Sequence, residues 1–151
     1  MDALLIGAVA LALVLTVTML ATRRGRRDPH NLRQMEDEAF GHRLGTAFGA
    51  RGFHVTHRDA EPGPVQLVLE RDGKRYLVTF RHWRAEFVGA NPVAELLQAI
   101  HAEGADGGYI VTTGRFTGEA REAAANSGIE LIAGRELAEL VAGHSGRDRR
   151  T

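Results

Sequence analysis

Residues 3–21, ALLIGAVALALVLTVTMLA, carry no charge. As a helix these 19 residues span about 28 Å, close to the hydrocarbon thickness of a bilayer. A cleaved signal peptide is the rival reading. It needs a basic start, a shorter apolar core and a small-x-small cleavage site. Here the chain begins Met-Asp, the basic cluster Arg23, Arg24, Arg26, Arg27 follows the apolar run, and Met19-Leu20-Ala21 is a poor cleavage site. An uncleaved anchor over residues 1–22 is therefore expected. Arginines flanking a span stay on the cytoplasmic side, which places the N-terminus outside. The expected location is the bacterial inner (cytoplasmic) membrane, single-pass, with the following domain in the cytoplasm.

What remains is a basic and polar linker at 23–35, a domain at 36–142 and a polar tail at 143–151. The chain has no cysteine, so disulfide scaffolds, Cys-ligated metals and thiol catalysis are excluded. The formal charge is zero over 151 residues, but from residue 28 onward 15 basic face 18 acidic residues, a balance of −3. Such a domain is no strong electrostatic trap for nucleic acid. Arginine outnumbers lysine 18 to one, which reads as the codon bias of a GC-rich bacterial genome. The Arg23–Arg27 flank is explained by topology and anionic lipid, and Arg147, Arg149 and Arg150 as a solvated tail.

Leu32, Met35, Phe40, Leu44 and Phe48 recur at helical spacing and predict a helix over 31–51, stopped by Gly52. Residues 53–56 read as a short strand and Glu61-Pro62-Gly63-Pro64 as a turn. Residues 65–70 and 74–81 flank Asp72-Gly73, a two-residue hairpin signal. Asn91 as N-cap and Pro92 at the first position open a helix to about Glu103. Residues 108–113 form a buried strand. Thr117 caps a helix to about Asn126, which Gly128 ends. A strand at 129–132 and a helix at 135–142 follow. This order predicts an α/β fold with a mixed sheet flanked by helices, antiparallel at its start and parallel at its end.

The two-residue loop pairs Arg71 with Lys74, so paired numbers sum to 145. Gln66 then lies opposite Thr79 and Val65 opposite Phe80. Arg81 follows two residues later on the Thr79 face, and Leu67 and Val78 point the other way.

The chain resembles the PD-(D/E)xK nuclease fold, and within it the Mrr-type restriction endonuclease domain. The residues that carry the resemblance are Arg51-Gly52-Phe53-His54-Val55, Val65-Gln66-Leu67-Val68-Leu69 and Asp72-Gly73-Lys74-Arg75-Tyr76-Leu77-Val78. Trp83, Val88-Gly89, Ile110-Val111-Thr112-Thr113-Gly114-Arg115-Phe116-Thr117, Ala120, Gly128-Ile129-Glu130-Leu131-Ile132 and Glu136-Leu137 continue it. It covers about residues 36–141, and IVTTGRFTGEA is its most specific stretch. The resemblance implies metal-dependent cleavage of DNA, often modified DNA. It also implies a helix glutamate at Gly41, a metal-binding aspartate at Gln66, a Glu or Gln at Thr79 and a lysine at Arg81. All four positions depart from that pattern. Gln and Thr offer neutral oxygens, and Arg is a poor proton acceptor. The expectation is a degenerate domain with no intact catalytic set, no metal site and no cofactor, weakly binding DNA through Arg81, Trp83 and Arg115.

Two alternatives stand beside it. One is an active, Mg²⁺-dependent nuclease with relocated carboxylates among Glu36, Glu38, Asp59, Glu61 and Glu70. Against it, Glu70 is expected to pair with Arg75 across the hairpin. The other is a protein-interaction scaffold at the membrane. His54 and His57 are three apart on an extended segment and face opposite sides, so they form no zinc pair. Trp83 has two readings, a core residue or a platform for a base. Thr112–Arg115, ahead of the Thr117 helix, has a phosphate-binding reading with Arg115 and a plain capping one, with Glu119 in the first turn.

Overall fold

The computed structural model describes residues 32–33, 35–58 and 63–143. The anchor, the Arg23–Arg27 flank, Asp59 to Pro62 and the tail arginines lie outside the described residues. Among the described residues, no helix is long and apolar enough to cross a membrane.

Among the described residues the elements follow in the order α1 (Asp37–Gly49), β1 (His54–His57), β2 (Leu67–Arg71), β3 (Lys74–Thr79), β4 (Phe87–Val88), α2 (Ala90–Glu103), β5 (Gly107–Thr112), β6 (Arg115–Phe116), α3 (Gly118–Ala124), β7 (Ile129–Ala133) and α4 (Gly134–Ala142). The main sheet runs β1-β2-β3-β5-β7. β1, β2 and β3 pair antiparallel, and β3-β5 and β5-β7 pair parallel. The mixed α/β architecture expected from the sequence is present.

Alternation along the strands divides the core in two. Leu67, Leu69 and Val78 pack with Phe40, Leu44 and Phe48 of α1 and with Leu137 and Leu140 of α4. Val68, Leu77 and Ile110 pack with Val93, Leu96 and Ile100 of α2 and Ala120 and Ala124 of α3. A one-residue slip of β2 against β3 would exchange these faces, so the pattern enforces the register. Asp72 and Gly73 both take positive φ, 54° and 75°, the type I′ geometry whose twist suits a two-residue hairpin. Arg71 pairs with Lys74 and Leu67 with Val78, as expected.

Several boundaries differ. The helix expected over 31–51 is interrupted: α1 begins at Asp37, because Glu36 is extended (ψ 155°) and separates it from a turn closed by Met35 N–H on the Leu32 carbonyl at 3.1 Å. The α2 N-cap is Gly89, not Asn91. Pro92 lies inside the first turn, where its missing N–H has no helical partner to lose. The Thr117 cap is present, accepting from Ala120 N–H at 3.1 Å. A second, two-stranded parallel sheet, β4-β6, was not foreseen.

Arg58, just past β1, donates two hydrogen bonds to the Glu103 carboxylate at the end of α2, at 3.1 and 2.5 Å. These bonds hold the Glu103 carboxyl below its usual range. A lowered folded pKa means that the unfolded chain binds more protons between the two values. Stability from this pair is therefore full above the ordinary glutamate range and lost as pH falls through the lowered value. Glu103→Gln is expected to remove about 1–2 kcal/mol near neutrality and to flatten the acid limb of the melting curve. A titration of melting temperature between about pH 7 and 3 checks it.

Candidate functional site

The site expected from the sequence lies where β2 begins and β3 ends. Past the Leu67–Val78 pair the two strands part, and Gln66 N–H donates to the Val78 carbonyl at 2.9 Å. Beyond the end of β3, Phe80 N–H donates to the side-chain oxygen of Gln66 at 2.9 Å. Gln66 therefore spends its one side-chain oxygen on the backbone. Thr79 is buried and lies two residues on from Leu77, on the same side of β3, so it belongs to the α2 face. Gly41 belongs to the α1 face, where a Cβ would meet the Phe80 ring at 2.9 Å. Any side chain at position 41 needs the space that Phe80 fills.

Arg81 was expected to continue β3 on the Thr79 face. It does not: β3 ends at Thr79, and Arg81 sits exposed in the turn over residues 81–84. The cause is the parting of β2 and β3, which leaves no ladder beyond Thr79. Of Gly41, Gln66, Thr79 and Arg81, only Gln66 and Gly41 are linked, both through Phe80. Among the described residues, the Arg81 guanidinium bonds to none of them and is exposed.

Trp83 is a correction. It is 2% exposed. Its ring stacks on Phe40 with centroids 4.1 Å apart, and the Arg84 guanidinium lies 4.4 Å from the ring centre. Its Nε1–H donates to Asp37 Oδ1 at 2.9 Å, and Arg84 pairs with the same oxygen at 2.8 Å. The core reading of Trp83 holds, and no base can stack on it in this structure. Arg84 also donates to the Met35 carbonyl, and Arg33 to the Arg84 carbonyl at 3.3 Å.

The Thr112–Arg115 segment packs on the same turn. Thr113 donates to the Trp83 carbonyl through N–H at 2.8 Å and through Oγ1 at 2.6 Å. Gly114 N–H donates to Thr112 Oγ1 at 3.1 Å. The hydroxyls there serve the backbone, and α3 is a seven-residue helix already capped by Thr117. Its phosphate-binding reading is therefore not supported, although Arg115 itself is exposed on β6.

The other candidates separate. Glu70 pairs with Arg75 in the ladder, with side chains 3.9 Å apart. Glu38 lies 3.9 Å from His42, whose ring is 4.9 Å from that of His57. No group of three or more His, Cys, Asp or Glu side chains able to hold a metal occurs among the described residues. Asp59 and Glu61 lie outside them. The sequence reading missed Phe87, the large hydrophobic side chain that stands 60% exposed. Two-residue strands have no periodicity to betray them.

A restriction endonuclease family model, Mrr_cat, matches residues 32–141. The chain belongs to the Mrr-type restriction endonuclease family. This Mrr-type domain is also similar in fold to the crystal structure of a protein of unknown function, AF1548, with TM-score 0.58 and 23% identity. That match covers 70% of this chain and 65% of the other. The similarity speaks for the fold alone. No curated protein matches.

Mg²⁺, which the family's chemistry implies, does not fit the four positions as they stand. Gly41 has no donor, Thr79 is buried, Arg81 is cationic, and the Gln66 oxygen is neutral and already bonded. A hard divalent ion needs several oxygen ligands, at least some of them anionic.

Proposed function

We propose that this chain is a membrane-anchored Mrr-type domain that binds DNA weakly and does not cleave it. The observation that carries the reading is the Gln66–Phe80 hydrogen bond beside Gly41, at the place where the family would hold a metal. No carboxylate stands at the four family positions, so nothing there supplies the anionic oxygens that metal-assisted hydrolysis needs. Arg81 is free, and an arginine fork is a good phosphate ligand. Exchanging carboxylates for Gln, Thr and Arg also removes the repulsion of a phosphate. The acidic balance of the domain limits affinity to the micromolar class and makes it fade as salt rises.

The test is anisotropy of labelled DNA with the full chain in a neutral detergent, across salt concentrations. Arg81→Ala is expected to weaken binding by about 1 kcal/mol, because the side chain is exposed, and Arg81→Glu to weaken it further. Both variants keep the wild-type melting temperature. Absence of binding at low salt, or an Arg81→Glu chain that binds like wild type, sinks the reading in favour of a membrane scaffold. Incubation with Mg²⁺ or Mn²⁺ is expected to leave DNA intact. Metal-dependent nicking abolished by Glu70→Ala or Glu38→Ala would show a relocated active site. A reporter fused after Thr151 tests the anchor: cytoplasmic activity is expected, and periplasmic activity contradicts it.

A further inference from the structure

β4 and β6 pair Phe87 with Arg115 and Val88 with Phe116. Val88 and Phe116 are buried against the α2–α3 half of the core. Paired residues in a parallel ladder share a face, so burial of one pair turns the other outward. Phe87 is accordingly 60% exposed and Arg115 is exposed beside it. An outward phenyl ring costs hydration, and no packing need of this two-stranded sheet explains it. Phe87 forms one wall of an open groove of about 560 Å³ that also includes His82, Asn91, Pro92 and Glu95. His82 is the neighbour of Arg81 in the 81–84 turn.

We infer that Phe87 and Arg115 form a platform for an unpaired nucleobase, beside a groove that His82, the neighbour of Arg81, also lines. This deepens the DNA-binding reading and rests on it. A base stacked on Phe87 would place its own phosphate beside Arg115, the cross-strand neighbour. Stacking accepts any base, because every base has a π-face. The Asn91 amide, at the start of α2, offers both a donor and an acceptor to a base edge. Glu95 and Glu119 line the helical wall of the groove, which keeps the phosphates on the arginine side. The ligand class is therefore single-stranded DNA, or duplex with an extruded base, in preference to fully paired duplex. The base-stacking reading that the sequence left open for Trp83 falls to Phe87 instead.

The experiment uses the full chain in neutral detergent, with a labelled oligothymidylate and a fully paired duplex of equal length as probes. Phe87→Ala is expected to weaken oligothymidylate binding at least about fivefold and to change duplex binding little. Its melting temperature should match wild type, since the ring packs against little. Phe87→Trp adds a spectroscopic readout. The chain's single native tryptophan, Trp83, is buried, so wild-type emission should stay constant while emission of the variant is quenched by oligothymidylate. Unchanged oligothymidylate affinity in Phe87→Ala, or an unquenched Phe87→Trp, overturns the platform. If wild type binds duplex while Phe87→Ala loses nothing, the platform alone is wrong. If wild type binds neither probe, the DNA-binding reading falls and the platform with it.

Discussion

Trp83→Ala is expected to destabilise the domain by about 3–5 kcal/mol, a large part of the total stability of a unit this size. The indole is 2% exposed and stacks on Phe40 of α1. Removing it leaves a cavity between α1 and the 81–84 turn. It also strips Asp37 Oδ1 of one of its two donors and takes the ring from under the Arg84 guanidinium. Trp83→Phe should cost less, because it keeps the stack and loses chiefly the hydrogen bond, worth about 1–3 kcal/mol to a charged acceptor. Urea unfolding of the two variants separates packing from hydrogen bonding. If Trp83→Ala changes the midpoint little, the indole is not the link between α1 and the turn.

That link marks the limit of what could be read in advance. The hairpin register was legible because a two-residue Asp-Gly loop fixes both pairing and face, and a slip would bury charge. The parallel half was legible because buried runs alternate with capped helical segments, and Thr117 does cap. The candidate site was not. Counting along β3 carried Arg81 onward in register, but the ladder stops when Gln66 N–H takes the Val78 carbonyl. Nothing local announces that. The Trp83–Asp37 bond joins residues 46 apart, and the Gly41–Phe80 contact joins a helix to a strand end. Such contacts exist only once the chain is folded. That Gln66 stands where β2 begins was legible, whereas the use the fold makes of it, a side-chain amide tying down a strand end, was not.

Gly114→Ala is expected to be nearly as damaging as Trp83→Ala, although it adds a single methyl group. A Cβ at Gly114 would lie 2.0 Å from the Ala85 carbonyl oxygen and 2.5 Å from that of Glu86. Both are backbone atoms, so no rotamer change relieves the clash. The 112–116 segment would have to lift away from residues 83–86. That movement breaks the Thr113 bonds to the Trp83 carbonyl and the Arg115 N–H bond to Glu86, 2.8 Å long. Overpacking commonly costs about 1–3 kcal/mol, and the loss of these backbone bonds adds to it, so about 3 kcal/mol or more is expected. Because Arg115 and Phe87 are held by the same segment, the variant should also lose oligothymidylate binding under conditions where it is still folded. Gly118→Ala, four residues on, is the control. A Cβ there meets nothing within 4 Å, and alanine in the first turn of a helix is neutral or gains about 0.5 kcal/mol. Equal unfolding midpoints for the two alanine variants would mean that the 112–116 segment yields freely, and that close backbone packing against residues 83–86 does not hold the Phe87–Arg115 edge in place.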